Sequence, residues 1–461
     1  MNHFTTNPSV TTNPSALFNK INSSLKWNTL GGVIFQGLLT LHTITLSKII
    51  NLQLFGVLGT ILSLIYLSTS LLDFGLKDSL GIIFRSSMQN RTLCKKYILK
   101  PIFFQISLIT LILWGIYFIS NFTNINLQPF ILIKSNSIPI GCILFIILGE
   151  WINQTFKAIL QLNFSSKFVA QLEALFILSY VTTIWGTYFY TKTITLLLLL
   201  LPLAIIAWIS VIILTSAISI LYFKLPIQDT SETSLPPQKN ISRHRFIIYL
   251  ATISKSLFSA NFIVPFFAYT LGAQQAGFIK ISSHISFLIS TIAKHTFGIS
   301  STTLLAHLKH EPIHTKKPFF DYFNKKIVQL ISSTSLIFLF NLMILPYQFN
   351  YMLSRAGYIT IIVFLWLNLS EVILITYEKI LIIEEKTIHF IVIQLLNYTL
   401  IAIAILLHHL FLNFALSITL ISFGLIRLLY VSLVSYTIYK LWNLPVNINI
   451  KNFKLLSSYT Q

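Results

Sequence analysis

Charge, and acid above all, is what this 461-residue sequence lacks: charged residues make up 10% of it, and Asp and Glu together number 12. Soluble domains carry about 25% charged residues, so an ordinary globular enzyme is excluded. Cysteine is almost absent. Cys94 and Cys142 provide neither a disulfide framework nor a cysteine metal cluster. The first 25 residues are polar and rich in Asn, Thr and Ser, without the charged-then-apolar order of a signal peptide, so the first apolar segment is expected to stay in the protein. Paired acidic motifs, a glycine-rich phosphate loop and a metal-spaced His/Cys set are all missing from the polar loops.

What the chain has in excess is apolar length and basic charge. It is 55% hydrophobic, with a mean hydropathy of +0.77. At roughly 20 apolar residues per bilayer crossing, that is material for about twelve spans. Stretches of spanning length are read at 27–48, 54–76, 97–120, 138–160, 168–190 and 194–223, then at 246–271, 275–298, 327–346, 358–380, 389–411 and 415–441. The formal charge of +20 would suggest nucleic acid in a soluble protein. Here the twelve spans sort the 32 Lys and Arg: 24 fall on the side of the N-terminus, four on the other, and four (Lys255, Lys280, Lys294 and Arg427) inside spans. Such asymmetry is the positive-inside signature. It predicts a multi-pass protein of the bacterial cytoplasmic membrane with both termini cytoplasmic, and it removes nucleic acid as a partner.

One linker, 224–245, has the character of a boundary, with Asp229, Glu232 and the pair Pro236-Pro237. It divides the chain into a six-span lobe over 1–223 and another over 246–461. A shift of 221 residues lays Phe55-Gly56 on Ala276-Gly277. The same shift lays the segment from Glu150 to Leu160 on the segment from Glu371 to Leu381, with the shared pattern E-x-I-x-x-T-[F/Y]-x-x-I-L. Both halves start on the same side, so the repeat is parallel, about an axis normal to the membrane.

The opening of the chain, with Leu54-Phe55-Gly56 and a helix ending Leu72-Asp73-Phe74-Gly75-Leu76, resembles bacterial polysaccharide exporters. More narrowly it resembles the O-antigen-type (Wzx) lipid-linked oligosaccharide flippases of the multidrug/oligosaccharidyl-lipid/polysaccharide superfamily. Leu271-Gly272-Ala273-Gln274-Gln275-Ala276-Gly277-Phe278 is similar to that family's turn at the start of the second lobe, and the segment from Phe156 to Gln161 to the close of its fourth span. The resemblance implies an all-α polytopic membrane protein, a V-shaped carrier of about twelve helices in two parallel-repeat lobes. Spans 1, 2, 7 and 8 would line its cavity, and undecaprenyl-pyrophosphate-linked sugars would cross from inner to outer leaflet. It further implies partners among polysaccharide polymerases and other assembly proteins.

Ionisable groups at membrane depth are costly and so are functional candidates. Lys255 lies roughly 13 Å into span 7 at 1.5 Å per residue and is expected to bind the anionic head of the substrate. Lys280, His284, Thr291 and Lys294 share one stripe of span 8, and Ser259 lies on a polar face of span 7. Lysine suits a phosphate that must later be released, because it binds as a mobile point charge. The bland readings stand beside these. Lys280 and Lys294 are near opposite span ends, where each can snorkel to headgroups, and Ser and Thr in spans often bond only their own backbone. Glu150 and Glu371, mid-span and related by the repeat, either bind a coupling H⁺ or Na⁺ or form structural pairs, Glu371 with Arg427. No cofactor is implied. A multidrug-type cation antiporter is the alternative in the same superfamily; it calls for an acidic cavity. A membrane-embedded polymerase or glycosyltransferase would need an extramembrane loop with acid and base groups, yet the longest outside loop, 121–137, holds Lys134 and no carboxylate. His307, His310 and His314 read as part of a solvated basic loop.

Overall fold

A computed structural model describes residues 14–88, 90–122, 140–226, 238–293, 296–297, 321–322, 324–330, 332, 355–383, 387–410 and 416–442. All regular structure among them is helical. Nine helices are long and apolar enough to cross a membrane, and a tenth span consists of two pieces. Span 9, Lys294, the 121–137 loop beyond Phe122 and the histidines 307, 310 and 314 lie outside the described residues.

In the first half, α1 (Pro14–Ile49) and α2 (Leu52–Leu71) form a hairpin closed by Asn51, whose side chain accepts the Leu54 amide at 2.7 Å. The face from which α1 starts is called the near face and the hairpin end the far face. Gly75, at φ 72°, turns the chain into α3 (Leu76–Ser87). Leu76, Leu80, Ile83 and Phe84 of this short helix are buried, an apolar stripe at helical spacing. Asn90 then caps the third span by accepting the Leu93 amide at 2.8 Å. That span runs as α4 (Arg91–Cys94), a π turn over Lys95–Leu99 and α5 (Lys100–Phe122). It therefore starts six residues before the expected Tyr97, and Arg91, Lys95 and Lys96 belong to a helix. α6 (Ile140–Leu162), α7 (Ser166–Thr191) and α8 (Leu196–Lys224) complete the half.

The second half contains α9 (Gln238–Leu257), α10 (Ala260–Leu271), α11 (Ala273–Ala293), α12 (Arg355–Ile383), α13 (Thr387–Leu410) and α14 (Leu416–Trp442). Two boundaries differ from expectation. Helix α9 begins at Gln238, inside the expected linker, and span 7 is not continuous: its two pieces meet at 52°. Helix α11 has span length, 21 residues, and a more polar face than its neighbours.

The helix neighbours repeat. In the first half α1 packs on α7, α2 on α6 and α6 on α8; in the second α9 packs on α13, α11 on α12 and α12 on α14. These are the first-with-fifth, second-with-fourth and fourth-with-sixth pairings of two six-span sets, as the sequence repeat predicts. An indole fastens the fourth to the sixth span each time. Trp208 on α8 donates to the Phe145 carbonyl on α6 at 3.2 Å, and Trp366 on α12 donates to the Gly424 carbonyl on α14 at 2.9 Å. Phe104, Leu111 and Trp114 on α5, with Ile205 and Ile212 on α8, stay exposed, an apolar surface suited to lipid tails.

Candidate functional site between the two halves

The halves meet along α2, which packs on α10 and α11, and along α1, which packs on α11. At the far face the approach is backbone to backbone. A Cβ on Gly56 would lie 1.7 Å from the Ala273 carbonyl oxygen, and one on Gly277 would lie 2.4 Å from that of Leu52. One turn deeper, Gly59 leaves a notch for the stem of Lys280, since a Cβ there would lie 2.8 Å from Lys280 Cγ. The ammonium of Lys280 donates to Ser63 Oγ at 3.1 Å, and the residue is 6% exposed. Lys280 therefore does not snorkel. It is a buried cation on the seam.

His284 follows one turn along α11, within electrostatic reach of both Lys280 and His42. His42, buried on α1, accepts from the Trp185 indole at 3.1 Å and packs edge-on against Tyr180. Sequence reasoning missed His42, because its importance depends on a neighbour 242 positions away. Thr291, on the same helix as Lys280, is buried and its hydroxyl has no hydrogen-bond partner among the described residues. At the near face the seam closes through side chains. The Phe74 ring lies 5.3 Å from that of Tyr249, Arg245 donates to Gln105 Oε1 at 2.8 Å, and Thr29 bonds Thr296 at 3.0 Å.

Lys255 is not on this seam as a free anion receptor. Its ammonium forms an ion pair with Glu378 on α12, whose side chain is wholly buried. Tyr430 on α14 donates to the other Glu378 oxygen at 2.9 Å and accepts from Gln394 on α13 at 2.6 Å. The expected pairing of Arg427 is also corrected. Its guanidinium donates to Ser370 at 2.9 Å, one residue before Glu371, and lies between the rings of Phe258 and Tyr430. Glu371 is half-buried. Ser259 donates back to the Ser256 carbonyl at 2.7 Å, where α9 ends, so its hydroxyl serves the helix break. Glu150 accepts from Gln154 at 2.9 Å, and Gln154 accepts from Lys77 at 3.3 Å, which favours structural pairing at that position. A signal for Glu378 exists in the sequence: it stands seven residues after Glu371, on the same helix face. Among the described residues no group of three His, Cys, Asp or Glu is placed to hold a metal ion.

No family model matches this sequence, and no curated protein matches it. Solved structures do match the fold. A chain of helices in two six-span sets joined along spans 1, 2, 7 and 8 is the plan of a polytopic carrier, and the particular plan is that of the MATE transporters of the MOP superfamily. One such structure, an outward-facing multidrug-resistance MATE family transporter, has a TM-score of 0.66 and 9% identity over 93% of this chain and 96% of that one. A MOP superfamily transporter from Pyrococcus furiosus, described as having a binding pocket of reverse polarity, has a TM-score of 0.65 and 10% identity with the same coverage. A MATE in complex with MaD5 has a TM-score of 0.60 and 15% identity over 94% and 99%.

Proposed function

We propose that this chain is a secondary transporter that moves its substrate by alternating access through the seam of α1, α2, α10 and α11. The observation that carries the reading is Lys280, an ammonium buried between the halves beside His284 and His42. An ionisable group at membrane depth is expensive unless it serves a partner or a substrate. The fold supports a carrier, and the neighbours are named as MATE transporters, which favours a MATE-type antiporter over the lipid-linked oligosaccharide flippase. A specific observation still speaks for the second reading. The seam presents a cation, where an antiporter of organic cations calls for acid, and pyrophosphate-linked oligosaccharide is one anionic substrate that such a seam suits. In either reading the chain sits in the bacterial cytoplasmic membrane with both termini cytoplasmic, coupled to H⁺ or Na⁺.

The test is transport by purified protein in liposomes under an imposed H⁺ or Na⁺ gradient, with a fluorescent organic cation, a fluorescent organic anion and lipid-linked oligosaccharide as substrates. Anion or lipid-linked substrate should move faster than in empty liposomes, and Lys280→Ala should slow it at least about tenfold, the scale of a lost charge-assisted hydrogen bond. Transport of the cation alone, unchanged by Lys280→Ala at equal incorporation, refutes the anionic seam.

A further inference from the structure

We propose that Lys255 is a built-in cation: its ammonium occupies a monovalent-cation site made by Glu378, Tyr430 and Gln394 inside the second half, and a chain deprived of that ammonium takes up sodium there. The site lies within the second half and does not rest on the transport reading.

Four helices supply the oxygens. Glu378 on α12 is wholly buried, with one oxygen turned to Lys255 on α9 and the other accepting from Tyr430 on α14. Gln394 on α13 donates its amide nitrogen to Tyr430. Its own Oε1, on a side chain 1% exposed, has no hydrogen-bond partner among the described residues. A carboxylate, a phenol and an amide oxygen form the kind of ligand set that hard cations select. An ionised carboxylate at this depth requires a positive charge close by.

The backbone suits a cation as well. Lys255 stands three residues before Phe258 and Ser259, where α9 gives way to α10 at 52°. The broken spans of transporters are where helix C-termini and freed carbonyls hold coupling cations. The lysine stem, 27% exposed, enters the cluster from outside and brings only a compact ammonium to the carboxylate. The other cation nearby is engaged differently. Arg427 donates to Ser370 and lies 5.2 Å from the centroids of the Phe258 and Tyr430 rings, beside the phenol rather than at the carboxylate.

The experiment is thermal unfolding of the purified full-length chain in detergent, in sodium chloride and in choline chloride at equal ionic strength. The wild-type midpoint should be the same in both salts. Lys255→Ala should melt lower in choline and recover by about 3 °C or more in sodium, as expected for a ligand that binds only the folded state. Lys255→Ala combined with Glu378→Gln should lose the sodium response. A Lys255→Ala midpoint that is equal in the two salts overturns the proposal, as it would if Arg427 swung across to neutralise Glu378. So does failure of Lys255→Ala to fold in sodium, because sodium then does not replace the ammonium. A sodium-raised wild-type midpoint, or a double variant that keeps the response, puts the cation elsewhere and overturns it too.

Discussion

Gly56 and Gly277 show at the scale of one residue how closely the two halves approach. Both are helical, so conformational freedom is not the issue; a methyl group at either would enter the opposite backbone. Gly56→Ala and Gly277→Ala should each destabilise by about 1–3 kcal/mol, the usual cost of overpacking, read as a lower unfolding midpoint in detergent. Gly37→Ala is the control: nothing lies within 4 Å of a Cβ there, and its midpoint should match the wild type. Residue 277 was marked in the sequence only as one end of a repeat. Its role as a contact with Gly56 appears once α2 and α11 lie side by side. The buried charges follow the same rule. Lys255, Lys280 and Arg427 were visible as cations at membrane depth, while their partners Glu378, Ser63 and Ser370 were not, because spacing along one helix says nothing about which helix faces it.

Among the elements, α8 shows how a helix end can be satisfied by a remote side chain. Its final turn is bonded by Arg91, which donates from Nε to the Leu225 carbonyl at 3.0 Å and from a terminal nitrogen to that of Phe223, while the Arg91 amide donates to Pro226 at 3.0 Å. Hydrogen bonds from charged groups are worth about 1.5–3 kcal/mol. Because this residue is partly exposed, Arg91→Ala should cost toward the lower end of that range, measured by denaturation in mixed micelles. The indole bonds of the repeat are weaker. Interhelical hydrogen bonds in membranes average about 0.6 kcal/mol, and Trp208→Phe and Trp366→Phe should each lose about that much. They lie in separate halves and should add in the double variant; a strong departure from additivity would show that the halves unfold as one coupled unit. Helix positions were largely legible because apolar runs of spanning length are unambiguous. The start of α4 and the break after Leu257 were not, since a capped polar turn and a bent span leave the hydropathy unchanged.

For the molecule as a whole, the seam is closed at both faces: by glycine at the far face and by side chains at the near one. Alternating access requires one of these closures to open at a time. Phe74→Cys with Tyr249→Cys, bridged by a short thiol-to-thiol reagent after Cys94 and Cys142 are replaced by serine, should hold the near face shut and abolish transport in liposomes, with recovery on reduction. Undiminished transport by the bridged protein would mean that this contact does not need to part. Topology is tested at the same scale. A cysteine placed at Ser234, in the segment between α8 and α9, should be labelled by an impermeant maleimide only after the cells are opened, because 24 of 32 basic residues lie on that side of the membrane in the twelve-span reading.

Hydropathy and charge placement determined by themselves that this chain is an all-helical membrane protein, roughly where its spans run, and which way they are expected to face. These are one-dimensional properties: each span must hide its own backbone in lipid, so each is written locally as a run of apolar residues. The doubling of the chain was readable too, because Glu150 and Glu371 keep one offset. Which side chains meet was decided by tertiary structure alone. The sequence offered Lys255 as an anion receptor and Arg427 as the partner of Glu371; packing gave Lys255 to Glu378 and Arg427 to Ser370. The reason is physical: a charge buried in a membrane takes whichever counter-group the neighbouring helices bring to its depth, and the neighbours of a helix are set by the fit of whole surfaces rather than by any spacing within it.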